Sequence, residues 1–214
     1  MVKVYAVTIK DAAINRAWLQ YVSAEKRQRL SRIREPQSFA HSLIGDLLVR
    51  YLAVQYLGLS NEDLLFRTNQ YGKPYLLDPP RPFHFSLSHS GCWVVCAVGQ
   101  NPVGVDVQLM EPVDDDFAQK VMTPEAYEHY LSLPHPQKLD YFYELWTKLE
   151  SFIKLTGKGI EDIPLLGTSN IRRKPVYYHC YDLESAYRVT ACSEDGHFEP
   201  SLSHLQTYNL VPKI

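Results

Sequence analysis

One feature constrains this chain more than any other: the same order of elements is spelled out twice, about 100 residues apart. Residues 2–9 (VKVYAVTI) alternate and are rich in β-branched residues, which predicts a strand. Ser23-Ala-Glu-Lys reads as a helix N-cap, with a helix running to about Arg34. The segment SFAHSLIGDLLVRYLAVQYLG predicts a longer helix that begins near residue 38 and stops at Gly58. LLFRTNQYGKPYLL is a strand-turn-strand signal centred on residues 71–74, and FHFSLSHS and CWVVCAVG read as two strands around a Ser-His-Ser turn. The second half repeats the order. VGVDVQ (103–108) is a strand, Thr123-Pro-Glu opens a helix with Pro124 at the favoured first position, and YFYELWTKLESFIKLTG is a helix stopping at Gly157. VYYHCYDL and AYRVTACSE then read as strands. The caps Ser23 and Thr123 occupy corresponding positions, as do Glu25 and Glu125. The expectation is an α+β fold of two similar halves, 1–102 and 103–214, with a ligand cleft where they meet.

Composition narrows the class. The 214 residues are 45% hydrophobic and 21% charged, as in ordinary globular proteins. A net charge of −2 gives no global reason to expect nucleic acid or an anionic membrane as partner. The N-terminus lacks the apolar core and cleavage site of a signal peptide, and no run approaches a membrane span of about 18 apolar residues, so a cytoplasmic protein is expected. The four cysteines form no Cys-x-x-Cys pair and read as reduced, buried small hydrophobes, with Cys92 and Cys96 on one strand face.

Candidate chemistry begins at Asp106. Strand alternation puts Asp106 and Gln108 on the face opposite Val105 and Val107. A carboxylate in so apolar a strand needs a partner. On this strand alone, an arginine or backbone amides serve as well as a metal ion. On the helix that follows, Trp146, Glu150 and Lys154 share a face at i, i+4 and i+8, and by themselves Glu150 and Lys154 read as an ordinary helix salt bridge. Together, Asp106 and Glu150 offer the one or two carboxylates that magnesium prefers beside water and substrate phosphate. Cations that suit a phosphate are present in the run from Glu25 to Arg34, where Lys26 and Arg29 lie on one helix side, although a solvated face is the default for such a run. Lys73 stands on a stiff turn that would present it. Ser88 and His89 stand at a strand end and, being adjacent, point apart, which is not a serine-protease arrangement. The residues alone support metal-assisted chemistry on a phosphorylated ligand and name no substrate.

Four ordered motifs carry a resemblance: Tyr71-Gly-Lys-Pro, Phe85-Ser-Leu-Ser-His-Ser-Gly, Val103-Gly-Val-Asp-Val, and Trp146-Thr-x-x-Glu-Ser-Phe-Ile-Lys followed by Gly157-Lys-Gly. In order and spacing the chain resembles the Sfp-type 4′-phosphopantetheinyl transferases from about residue 2 to beyond 190. The resemblance implies two α+β halves related by a pseudo-two-fold axis, with the active site between them. It implies Asp106 and Glu150 as magnesium ligands with Gln108 beside them, manganese being the alternative ion. Glu150 is implied as general base and Lys154 as the group that stabilises or protonates the departing phosphate. Lys26, Arg29, Ser42, Lys73, Ser88 and His89 are implied as contacts to the phosphates and adenosine of coenzyme A. The implied reaction transfers phosphopantetheine from coenzyme A to a serine of an acyl or peptidyl carrier protein, giving holo-carrier and 3′,5′-ADP. An internal repeat removes the need for a dimer, so a monomer is expected.

This chain departs from the family pattern at two places. Gln108 stands where many members have a glutamate, and Leu149 where the family usually has a lysine. Lys148 is one position early, about 100° around the helix, and is not an equivalent substitute. The segment Met110–Met122 resembles the carrier-docking region, with Val121 and Met122 as apolar contacts and Lys120 as a cation for an acidic carrier helix; an ordinary loop and helix start is the plainer reading. Two other functions compete with this reading. Glu150 and Lys154 argue against a coenzyme A-binding module without transferase activity, and the confinement of basic charge to one segment argues against a nucleic-acid-binding protein.

Overall fold

The computed structural model describes residues 1–10, 14–158, 166–168 and 175–211. Strand β1 (Lys3–Thr8) is followed by helices α1 (Ala24–Leu30) and α2 (Pro36–Leu57), a small hairpin of β2 (Phe66–Thr68) and β3 (Pro74–Leu76), and strands β4 (His84–Ser90) and β5 (Trp93–Gly99). The second half begins with β6 (Val103–Leu109). It continues through α3 (Asp115–Val121), α4 (Pro124–Ser132) and α5 (His135–Thr156) to β7 (Tyr177–Tyr181) and β8 (Tyr187–Ser193). Strand β9 (Ser203–Leu205) and α6 (Thr207–Leu210) close the described chain.

The repeat is real in three dimensions. The first sheet has the order β4-β5-β1 and the second β7-β8-β6, antiparallel throughout these three strands. Ser23 accepts from the Lys26 amide at 3.1 Å and Thr123 from the Ala126 amide at 3.2 Å, so matching caps open matching helices. Helices α2 and α5 are both 22 residues long. Each ends at a left-handed glycine, Gly58 (φ 70°) and Gly157 (φ 61°), a backbone conformation that L-residues resist. Beyond the repeat, β9 joins the first sheet parallel to β1, and Leu210 fills the first core, so the chain's last described residues return to the N-terminal half.

Two cores result from strand alternation. Tyr5 and Val7 of β1, with Val94, Cys96 and Val98 of β5, pack against α2, which buries Leu43, Ile44, Leu47, Leu48 and Leu52. Each such side chain contributes about 1.5–3 kcal/mol by burial. The other face of these strands (Val4, Ala6, Val95, Ala97) meets Val103, Val105, Val107, Val189 and Ala191 of the second sheet. At the seam between β4 and β6, three alternate serines reach across. Ser86 Oγ accepts from the Val105 amide at 3.1 Å, Ser88 Oγ donates to Asp106 at 2.7 Å, and Ser90 Oγ accepts from the Leu109 amide at 2.9 Å.

Several boundaries differ from the sequence expectation. Helix α1 stops at Leu30 rather than near Arg34, because Pro36 already opens the next helix. Ser88-His89-Ser90 lies within β4; the turn itself is at Gly91-Cys92. Cys92 therefore precedes β5 and packs in the inter-sheet core, whereas Cys96 packs under α2, so the two do not share a face. None of the four cysteines forms a disulfide, and Cys96 and Cys192 are buried whereas Cys180 is exposed on β7. Among the described residues no helix is long and apolar enough to cross a membrane.

Candidate active site

Helix α5 lies directly on β6, and one glycine permits it. A Cβ on Gly104 would sit 1.8 Å from the Ser151 carbonyl oxygen and 2.7 Å from the Leu155 amide. The helix side of the contact is equally small: Ser151 and Thr147 are fully buried, and Thr147 Oγ1 meets Thr190 Oγ1 of β8 at 2.7 Å. This close crossing brings the Glu150–Lys154 face of α5 to the Asp106 end of β6.

Asp106 is 1% exposed and has three side-chain partners. Its Oδ1 accepts from Lys154 Nζ at 2.6 Å and from Ser88 Oγ at 2.7 Å, and its Oδ2 accepts from Gln108 Nε2 at 3.2 Å. Lys154 also donates to Ser88 Oγ at 2.8 Å. The protein partner of Asp106 is thus Lys154, a cation not among the alternatives that the sequence offered for it, and the Glu150–Lys154 helix salt bridge does not form. Glu150 makes no hydrogen bond or ion pair among the described residues. Burial, then the nearby Asp106 charge, raises its pKa above the ordinary glutamate value against the lowering effect of Lys154. Two carboxylates in each other's field, one without a partner, suit a hard cation. Gln108 adds an amide in place of a third charge.

On the other side of Ser88 opens a cavity of about 650 Å³. Lys26 and Arg29 from α1, Ser42 from α2, and Ser88 and His89 from β4 all line it, so five of the six residues expected at coenzyme A meet there. Arg50 and His41 line it too, unremarked in the sequence reading. Helix spacing could have found them: His41, Gly45 and Val49 form one row of α2 toward the cavity, and Ser42, Asp46 and Arg50 form the row beside it. The rings of His41 and His89 stack with centroids 4.4 Å apart, and His41 Nε2 is 2.9 Å from the Gly91 carbonyl oxygen. Burial, then His41 and Lys154, hold the His89 pKa below the ordinary histidine value. Arg50 donates to Asp46 at 2.7 Å, and Lys26 makes a looser ion pair with the same carboxylate at 4.0 Å; burial is the main cause that lowers the Lys26 pKa.

Lys73 is the exception. Gly72 and Pro74 line the cavity, but the Lys73 ammonium turns away from it to three backbone carbonyls, of Lys154 at 2.5 Å, Val103 at 3.3 Å and Leu155 at 3.3 Å. The stiff turn presents this cation to the protein interior. Leu149 packs among the α3–α5 aromatic and aliphatic side chains, and Lys148 pairs with Glu144 at 2.5 Å, so Lys148 does not replace the family lysine. In the docking segment Met122 is 2% exposed and packs inward, which removes it as a surface contact; Val121 is half-buried. Asp114 caps α3, and Asp115 accepts from the Tyr130 hydroxyl. Phe117, 44% exposed against Phe142 and Trp146, is the apolar side chain that α3 shows to solvent. Gly159 of the Gly-Lys-Gly motif lies outside the described residues.

Two like α+β halves place an acid pair on the second beside a cation-lined cavity on the first. The comparisons agree and go further. A sequence model of the 4′-phosphopantetheinyl transferase superfamily matches residues 102–204, and one of the 4′-phosphopantetheinyl transferase N-terminal region matches residues 12–101. A 4′-phosphopantetheinyl transferase of Bacillus subtilis is 37% identical over 193 residues, covering 83% of this chain and 84% of that protein. The 4′-phosphopantetheinyl transferase Sfp of Bacillus subtilis strain 168 is 30% identical over 211 residues, covering 92% and 93%. A 4′-phosphopantetheinyl transferase of Bacillus pumilus is 33% identical over 210 residues, covering 91% and 88%. The chain belongs to the 4′-phosphopantetheinyl transferase superfamily.

Proposed function

We propose that this protein transfers the 4′-phosphopantetheine group of coenzyme A to a serine of an apo acyl or peptidyl carrier protein, releasing 3′,5′-ADP. The observation that carries this reading is the position of Ser88. Its hydroxyl bonds both Asp106 and Lys154 while its strand lines the cavity, so the acid pair and the phosphate cations meet at one residue. Lys26, Arg29, Ser42 and His89 bind the phosphates and adenosine of coenzyme A from the cavity wall. Glu150, with its raised pKa and no hydrogen bond or ion pair among the described residues, takes the proton of the carrier serine as the serine oxygen attacks the β-phosphorus. As the new oxygen–phosphorus bond forms, the bond to the leaving 3′,5′-ADP breaks, and the Lys154 ammonium stabilises that departing phosphate.

Asp106, Glu150 and the Gln108 amide suit magnesium, with manganese as the alternative, and the ion would supply charge neutralisation at the diphosphate when bound. With two carboxylates rather than three, the site binds the ion weakly. Gln108→Glu therefore lowers the magnesium concentration for half-maximal rate several-fold; an unchanged requirement refutes Gln108 as a determinant of ion affinity. The protein works as a cytoplasmic monomer, its carriers being those of fatty-acid, polyketide or nonribosomal-peptide assembly. Incubation with coenzyme A, magnesium and a panel of apo carriers tests the reading by mass spectrometry. One phosphopantetheine per carrier is expected, with loss of the adduct on chelation. No adduct on any carrier refutes it.

A further inference from the structure

The β2–β3 hairpin completes the end of α5. The last carbonyls of a helix lack intrahelical partners and carry partial negative charge. Here the carbonyls of Lys154 and Leu155 both accept from Lys73 Nζ, and the carbonyl of Gly157 accepts from Asn69 Nδ2 at 2.8 Å. Lys73 also reaches the Val103 carbonyl at the start of β6, so one ammonium ties the end of the helix to the start of the strand it crosses. The turn is shaped for this. Asn69 Oδ1 accepts from the Tyr71 and Lys73 amides, and a Cβ on Gly157 would lie 2.8 Å from Lys73 Cδ, so only glycine leaves the lysine stem its path. Burial lowers the Lys73 pKa to about 8, as expected for an ammonium taken out of water.

We infer that Lys73 is a positioning residue that acts through Lys154, holding the last turn of α5 against β6 so that the Lys154 ammonium and the Glu150 carboxylate keep their places beside Asp106. It is not a coenzyme A phosphate ligand. The inference rests on the transferase reading for its kinetics, because a shift of about 1 Å in a reacting group costs on the order of 100-fold in rate.

The test compares wild type, Lys73→Met and Asn69→Ser for carrier modification and for coenzyme A binding by calorimetry. Both variants are expected to lose about 10- to 100-fold in kcat while the Kd for coenzyme A stays within about two-fold. In a Lys154→Ala background Lys73→Met is expected to cost clearly less than in wild type, only the part that comes through Glu150, since residues that act as a unit are not additive. A Kd weakened about ten-fold or more with kcat unchanged assigns Lys73 to the phosphate and overturns the inference. So does a full further loss in the Lys154→Ala background. Should Lys73→Met fail to fold, Asn69→Ser decides: an unchanged kcat overturns the inference. Hydrogen exchange separates this from failure of the transferase reading. Faster exchange over residues 153–157 in Lys73→Met is expected whatever the substrate, and unchanged exchange there refutes the positioning role even if no carrier is ever modified.

Discussion

Helices α2 and α5 are copies of one design put to opposite uses. Both have 22 residues, stop at a left-handed glycine and pack on a three-stranded antiparallel unit. Helix α2 buries a full aliphatic face, and its one glycine, Gly45, is slack: a Cβ there meets Leu87 and Val94 at 3.8–3.9 Å, ordinary contact. Helix α5 touches its strand through Gly104, Thr147, Ser151 and Thr190, and the face it turns to the other half carries charge. The first helix anchors a core and leaves space over it for a ligand. The second gives up aliphatic packing so that Glu150 and Lys154 can sit within reach of Asp106.

The sharpest way to break the comparison is to add one methyl to each helix–strand contact. Gly104→Ala drives a Cβ into the Ser151 carbonyl and is expected to cost at least the upper end of the about 1–3 kcal/mol of overpacking, with transfer activity lost. Gly45→Ala is expected to gain up to about 1 kcal/mol from helix propensity. Denaturant melts of the pair check both signs. Next in size, Leu47→Ala on α2 should cost about 2–5 kcal/mol yet leave kcat per folded molecule near wild type. Thr147→Val on α5 should cost only about 1–3 kcal/mol, by leaving the Thr190 hydroxyl with Cys180 Sγ at 3.6 Å in place of its short bond, but lower kcat. Equal effects on kcat would erase the distinction between anchor and chemical arm.

The smallest effect is electrostatic. The folded-state pKa of Glu150 is raised above its unfolded value, so the stability linked to it is fully present below the unfolded pKa and lost as pH rises through the folded pKa. At pH 7 the raised Glu150 pKa therefore costs stability in metal-free protein. Glu150→Gln should melt higher there, by about 2 °C or less. The gain should close as the pH falls toward the ordinary carboxylate range. A gain that grows on acidification contradicts the assigned direction.

Much of this was legible in the sequence, for physical reasons. Caps, glycine stops and alternation act over a few residues, so the repeat and the long helices could be read directly, and the shared face of Glu150 and Lys154 follows from spacing alone. What spacing cannot give is the partner across the fold. Lys154 goes to Asp106 rather than Glu150, and Lys73 goes to the carbonyls at the end of α5. The serines of β4 looked like a turn because their hydroxyls serve β6, a strand not adjacent to them in sequence. The return of β9 to the first sheet left no strong local signal, being three residues long.

The central claim is that Glu150 beside Asp106 takes the proton from a carrier serine while the cavity holds coenzyme A independently. Glu150→Gln tests it most directly, with carrier modification followed by mass spectrometry and coenzyme A affinity followed by calorimetry on the same preparation. The account predicts a rate loss of about 10²–10⁴-fold, the usual worth of a general base, with coenzyme A still bound. A variant that modifies its carrier at near the wild-type rate would contradict it.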